Sequence, residues 1–510
     1  MATTGQLIVL GVPIAYLVVA LVVGLAGRGS AEQTTTEGFI AGNRGIGLVV
    51  LYFIMGASIM SAFAFLGGPG EAYSQGAAAY YVLAYTGFGM VLWYLFGPKA
   101  ARLGRKFGYV TQAELVADRY RSPTLSALMA VASIGAFIPY TVLQMKGVGY
   151  ILSEASGGML PFWAAALIPF LVIVAYVLAS GMMGVGWSNV LQGVMMLVLA
   201  WGLGLYLPFE LYGGIGPMFE SIAARKSEFL VIGGEATGMP MLTYSSTVVV
   251  SVLGFVMWPH LFMRAYTADS ERTLKKTIAF YPTFGLIMVP ILLIGFAGVL
   301  YAPGVEPADN ILPYMVTNLG LNPWIVGFLF AGGLAAAMSS ADSIVHAAAS
   351  VFTRDFYRRV VDPDVSDRRQ TQLTQVAVVG VVAVSYYFAV VSTMDIVDLL
   401  AGAYGAVIQF LPLIFGVFFW PRATREGAIA GLVAGSAVTV LYTFVLPSPY
   451  GVHAGLWGLF VTTALFVAVS LVTTVDDPEH ARKFVVESRP DHARRDAPTP
   501  SSGDAVPGDD

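Results

Sequence analysis

About thirteen runs of some twenty apolar residues follow one another along this chain of 510 residues, and they decide its solvent. A helix of about 20 apolar residues matches the hydrocarbon thickness of a bilayer. In lipid its backbone groups must be satisfied internally, which helices achieve. The expected spans are 6–27, 44–67, 77–97, 123–152, 160–179, 187–208, 243–263, 276–301, 324–350, 373–391, 397–419, 427–446 and 454–474. Only 11% of the residues are charged, against roughly 25% in a soluble domain. The expectation is an all-α polytopic membrane protein. No basic stretch precedes the first apolar run (MATTGQLIVLG), so 6–27 reads as a span, not a cleaved signal.

The charges fix a sidedness. With the N-terminus outside, 24 of the 27 Lys and Arg fall on the cytoplasmic side, as the positive-inside rule demands. They are Arg28 and Arg44, the groups Lys99–Arg121, Arg264–Lys276 and Arg354–Arg369, then Arg422, Arg425 and five in the tail. Arg225 and Lys226 lie on the long loop 209–242, and Lys146 lies inside a span. Residues 476–510 are polar (ending APTPSSGDAVPGDD) and read as a disordered cytoplasmic tail, too short for an enzymatic module. Zero cysteines exclude disulfides, thiolate metal sites and a cysteine nucleophile. No nucleophile–His–carboxylate arrangement or phosphate loop appears, so no enzyme is expected. Nothing implies nucleic acid or an obligate protein partner. The Arg-rich, acidic-tailed composition suits a multi-pass protein of a prokaryotic cell membrane.

Two spans carry small and hydroxylic residues at mid-depth. LYFIMGASIMSAFAFLGGPG (51–70) is interrupted by Gly56, Ala57, Ser58 and Ser61, and GGLAAAMSSADS (332–343) contains Ser339 and Ser340. Ala57 lies 13 residues from Arg44, about 20 Å along a helix, and Ser339 lies 15 from Arg354, about 22 Å. Both therefore reach the midplane. Carbonyls released from a helical ladder there must line a cavity or hold a cation, and an uncharged oxygen cage suits a monovalent one. Close helix packing through small residues produces the same pattern. Spacing alone leaves both open.

Five motifs in order carry a resemblance to a known family: GASIMSAFAFLGGPG, GWSNVLQG, WPHLFMR, AAAMSSADS and QFLPLIFGVFFWPRATREGAIAG. Over roughly residues 5–475 the chain resembles the sodium:solute symporter family, which includes bacterial proline, pantothenate, sialic acid, monocarboxylate and sugar symporters. The resemblance implies a LeuT-type fold of two inverted five-helix repeats. These are expected at about 44–208 and 243–419, within a transporter domain 1–475 that adds helix 6–27 before them and two helices, 427–474, after. It implies a sodium site made by carbonyls of Ala57, Met60 and Ala336 and hydroxyls of Ser339 and Ser340. Na+ and a small solute are the implied ligands, with lipid around them.

The resemblance also places substrate beside the ion, near Ser58, Phe255, Gln409 and Tyr404. For Tyr404 and Gln409, hydrogen bonding between helices is the alternative. Proline symporters carry larger or more polar aromatics where this chain has Ser251 and Phe255, which argues against proline. Many members have aspartate at the position of Ile59. Members using a second sodium have aspartate where this chain has Asn189, so one sodium per cycle is expected. Asp342, one turn from Ser339, supplements the ion site, carries a proton, or accepts hydrogen bonds from neighbouring helices. Lys146 pairs with a substrate carboxylate, snorkels outward, or pairs with Glu71. Trp258 and His260 read as gate residues. The expected function is sodium-coupled import of a monocarboxylate or amino acid. Proton coupling through Asp342, or symport of pantothenate, proline or a sugar, are the alternatives.

Overall fold

Apolar segments this long, with donors and acceptors only in the backbone, satisfy themselves as helices, and the computed structural model is helical throughout. It describes residues 3–27, 35–233, 239–391 and 396–490. Among these, eleven helices are long and apolar enough to cross a membrane. Nine helices matter below: α1 Thr4–Ala26, α2 Leu48–Ala57, α3 Pro123–Ala155, α4 Phe162–Tyr212, α5 Met241–Phe255, α6 Pro323–Val351, α7 Arg425–Val440, α8 Ala454–Val472 and α9 Pro478–Glu487.

Their starts follow the sequence. Ser122 accepts the Leu125 N–H and Asn322 the Trp324 N–H, each just before a proline at the first helical position. Thr3 and Gln6 form a reciprocal capping box on α1. The difference between eleven helices and the expected thirteen spans lies in the breaks. α4 runs for 51 residues, about twice a bilayer's requirement, and is interrupted at Gly181 (φ 49°, ψ −140°). The expected spans 160–179 and 187–208 fall on either side of that break. α2 has ten residues and stops short of a span by itself.

The core is organised around α6, where every residue from Phe330 to Val351 is buried. α1, α3 and α4 pack against it, and α7 and α8 pair with each other. Gly435 and Gly458 make that pairing close, because a Cβ on Gly458 would meet Thr439 Oγ1 at 2.0 Å. Several basic residues tie distant segments together. Arg354 pairs with Glu114 at 2.5 Å, Arg102 bridges Glu271 at 2.5 Å, and Arg44 Nη2 donates to the Tyr109 carbonyl at 3.1 Å.

The tail needs correction where it is described. Residues 478–487, expected to be disordered, form α9, and Phe484 and Ala481 are buried. The Phe484 ring stacks on Phe107 at 5.8 Å, and Lys106 pairs with Glu487 at 2.5 Å. Asp477 caps the helix by accepting the His480 N–H at 2.9 Å. Two apolar residues three apart suffice to dock one short helix face. Residues 491–510 and Arg28 lie outside the described residues, as do Arg494 and Arg495.

Candidate functional site

α2 ends at Ala57, and residues 58–61 lie outside regular helix before a wide turn at Phe63–Gly67. The cause is local. The Ser58 hydroxyl turns back onto the Ile54 carbonyl, and the Ser61 hydroxyl accepts the Phe63 N–H at 3.2 Å. The Ala62 N–H leaves the segment altogether and is accepted by Gln144 Oε1 of α3 at 2.8 Å. A second break follows α5, where Val256–Trp258 separate it from the short helix Pro259–Phe262.

The first break faces the serines of α6. Ser339 Oγ lies 2.9 Å from the Ala57 carbonyl and 2.9 Å from the Ala336 carbonyl, and Ser340 Oγ donates to the Ser58 carbonyl at 2.8 Å. Ala57, Met60, Ala336, Ser339 and Ser340 are all buried. The structure therefore brings together both stretches of the expected sodium site. The ligand chemistry is neutral: backbone carbonyls and hydroxyls, whose lone pairs suit a hard monovalent cation. Among the described residues no group of three His, Cys, Asp or Glu is placed to hold a metal ion.

Asp342 and Asn189 also meet. Asn189 Nδ2 lies 3.1 and 3.3 Å from the two carboxylate oxygens of Asp342 and 2.8 Å from the Val185 carbonyl. Tyr176 donates to Asp342 at 2.6 Å, and the Ser188 hydroxyl lies 2.9 Å away. All these partners belong to α4, so the carboxylate ties α6 to α4 one turn from Ser339.

An aromatic cluster lies on the other side. Phe255, fully buried, faces Tyr85 at 6.1 Å and Tyr281 at 5.8 Å. Tyr404 stands 5.8 Å from Tyr85 and 5.4 Å from Trp258. Trp258 and His260 adjoin each other at 5.6 Å, and Tyr140 lies 4.8 Å from Trp258. Through Trp258, Tyr140 of α3 borders the second break, and Gln144 one turn further along α3 reaches the first. Ser251 and Ile59 are buried nearby in sequence. Lys146 is buried on α3, two turns beyond Tyr140, and Glu71 acts electrostatically on Tyr81 and Tyr85.

Gln409 is not brought to this cluster by its polar atoms. Its Nε2 lies 3.0 Å from the Gly405 carbonyl, 3.1 Å from Thr439 Oγ1 and 3.1 Å from the Gly455 carbonyl, and Oε1 accepts from Thr462 at 2.6 Å. Its amide is spent on α7 and α8, the interhelical alternative. The Ser58 hydroxyl is likewise engaged by its own helix.

Sequence reasoning missed Tyr140, Gln144, Tyr176, Ser188 and Gly181. Tyr140 and Gln144 carried a signal, a polar pair at i and i+4 on one face of an apolar helix. Ser188 stood inside the GWSNVLQG motif.

The sequence model of the Sodium:solute symporter family matches residues 39–435. An uncharacterized symporter of Bacillus subtilis, YhjB, is 32% identical over 470 residues, covering 90% of this chain and 95% of that one. A monocarboxylate transport permease protein of Rhizobium johnstonii is 27% identical, with 86% and 91% covered. The osmoregulated proline transporter OpuE of Bacillus subtilis is 26% identical, with 87% and 90% covered. Among solved structures, a Na+-coupled sialic acid symporter in a substrate-bound outward-open state superposes with a TM-score of 0.78 at 17% identity, covering 92% of this chain and 98% of that one. MhsT, solved with L-phenylalanine, gives a TM-score of 0.51 at 18% identity, with 83% and 98% covered. The fold is that of LeuT-like transporters, and the molecule is a multi-pass membrane transporter, not an enzyme. Matched over most of its length in sequence and in fold, this chain belongs to the sodium:solute symporter family.

Proposed function

We propose that the protein is a sodium-coupled secondary active symporter that imports a small organic solute, a monocarboxylate or an amino acid, by alternating access. One observation carries the reading: the hydroxyls of Ser339 and Ser340 reach the carbonyls of Ala57 and Ser58 at 2.9 and 2.8 Å, across a break in an apolar helix. Sodium takes the carbonyls of Ala57, Met60 and Ala336 and turns the two hydroxyls toward itself as acceptors. Bound there, it ties α2 to α6.

The architecture proposed with it has thirteen spans, the N-terminus outside and the C-terminus in the cytoplasm. Two inverted repeats, about 44–208 and 243–419, each open on one of the two breaks. Substrate lies between the breaks, with Phe255 and Tyr404 as aromatic walls. Lys146, buried within a span, is the residue that would meet a carboxylate. The proposed partners are the solute, sodium and the surrounding lipid. One sodium crossing 100 mV supplies about 2.3 kcal/mol, enough for roughly fifty-fold accumulation of a neutral solute.

The test is uptake into proteoliposomes over a panel of lactate, pyruvate, proline, other amino acids, pantothenate and sugars. Sodium is exchanged for choline, with and without a protonophore. Uptake of one solute that vanishes in choline and survives the protonophore supports the reading. Uptake that persists in choline and collapses with the protonophore assigns coupling to protons at Asp342 instead.

A further inference from the structure

The two segments that carry the breaks are stitched together by their backbones. Ile46, two residues before α2, donates its N–H to the Thr267 carbonyl at 3.1 Å, and the Asp269 N–H returns to the Ile46 carbonyl at 3.0 Å. Ile46 and Ala268 thereby form a parallel bridge. Thr267 closes the short helix Arg264–Thr267, which follows the second break. The segments cannot part at this point without giving up both bonds.

Residues 102–114, from the end of the helix Val91–Phe107 onward, bind to this stitch. Arg105 Nη2 donates to the Ala268 carbonyl at 3.0 Å, Arg102 pairs with Glu271 just beyond it, and the Tyr109 carbonyl accepts from Arg44 just before it. The Thr111 hydroxyl donates to Asp355 at 2.6 Å and Glu114 pairs with Arg354, both just past α6. One short stretch therefore holds the ends of both broken segments and of α6. α9 grips the same stretch. Phe484 stacks on Phe107, and Lys483 Nζ lies 5.0 Å from that ring. Lys106 pairs with Glu487, and Arg102 Nη1 donates to the carbonyl of Ser488, the residue that caps α9, at 2.5 Å. One guanidinium thus touches both the end of α9 and the segment after the second break. A ten-residue helix is marginal in water by itself, so α9 keeps its form only while docked.

We propose that α9 is a strap. Docked, it holds residues 102–114 onto the stitched ends, and its release lets the two broken segments part there. This rests on the alternating-access reading above, in which the segments separate first at one face of the molecule and then at the other. The stitch, the contacts of residues 102–114 and the docked α9 together make the closed arrangement of one such face. The strap sets how often that face opens, and it does so without touching ion or solute.

The chain has no cysteine, so single introduced cysteines report burial through their rate of maleimide labelling without background. Three reporters are placed one at a time in the purified full-length protein in detergent. Ala481→Cys lies on the buried face of α9, and Gln112→Cys replaces a buried amide 3.8 Å from Met257 Sδ in the second break. Ala165→Cys, buried on α4 outside these contacts, is the control. Each is combined with Phe484→Ala, which removes the ring docked on Phe107. Labelling at Ala481→Cys and Gln112→Cys is expected to quicken about tenfold, equivalent to ~1.4 kcal/mol of opening, with the control unchanged. Faster labelling at Ala481→Cys alone means that α9 leaves while the face stays shut, and overturns the proposal. An equal rise at all three reporters is general loosening and overturns it too. If Ala481→Cys stays protected, a chain ended after Val475 removes the strap outright. Faster labelling at Gln112→Cys but not at Ala165→Cys then supports the proposal, and any other result overturns it. The alternating-access reading is judged by the uptake panel above, so its failure shows there and the strap's failure shows here.

Discussion

Ser339 Oγ and the Ala57 carbonyl lie 2.9 Å apart, although 282 residues of chain separate them. A hydroxyl that donates to a carbonyl in one state can offer its lone pairs to a cation in another, with the same two groups facing the same point. Replacing Ser339 with Ala is therefore expected to weaken apparent sodium affinity about tenfold, and Ser340→Ala similarly, each losing an interaction of roughly 1.5 kcal/mol. Sodium-dependent uptake measured across a sodium titration reads this directly. Wild-type uptake by the double variant at low sodium would remove these serines from the ion site.

Gln409 gives the opposite prediction. Its amide is spent on Gly405, Thr439, Gly455 and Thr462. Gln409→Leu strands buried polar groups on α7 and α8 and is expected to cost about 1–3 kcal/mol of stability. The KM for solute should not move. A large rise in KM with unchanged melting would return this residue to the substrate site.

Gly181 occupies a backbone conformation that side chains rarely adopt, and a Cβ there would meet the Phe39 carbonyl oxygen at 2.8 Å. Gly181→Ala is expected to lose about 1–3 kcal/mol, seen as a lowered melting temperature. An unchanged melting temperature would mean that the break in α4 is free to straighten.

Acid should loosen the contact between Glu114 and Arg354. At Glu114, burial alone would raise the carboxyl pKa. The Arg354 and Arg359 charges and the N–H groups of Val110 and Thr111 outweigh it and hold the group below the ordinary 4.5. A depressed carboxylate stabilises fully above the unfolded pKa and loses that contribution as pH falls through the folded one. Melting temperature should thus hold near neutrality and fall steeply below about pH 4.5. Glu114→Gln should flatten that acid limb while costing about 3 kcal/mol at pH 7, because the largely enclosed Arg354 loses its carboxylate partner. An acid limb as steep in the variant as in wild type would place the titrating group elsewhere.

The two stretches that meet at the candidate site were legible because breaking a helix in lipid requires unusual residues. Small and hydroxylic positions at Gly56–Ser61 and Ser339–Ser340 stand out against leucine and valine. Direction was less legible. A glutamine in an apolar helix looks the same in sequence whether it faces a substrate or a neighbouring helix, so Gln409 could not be aimed. The types at Asn189 and Asp342 were readable, but their meeting depends on how α4 and α6 cross, which no local pattern encodes. α9 was hidden for another reason. Its apolar face is too short to rise above a polar tail, and it gains its stability from Phe107. The number of spans was harder to read where a helix bends without a polar connection, as at Gly181, between the expected spans 160–179 and 187–208.

Gln144 has one further consequence. By taking the Ala62 N–H, it occupies the donor that would otherwise close the ladder and straighten the segment. The gap in the first apolar rod is thus propped apart by a neighbouring rod before anything arrives. A cation taking the proposed site would find the backbone already open there, and none of its binding energy would be consumed in unwinding the chain.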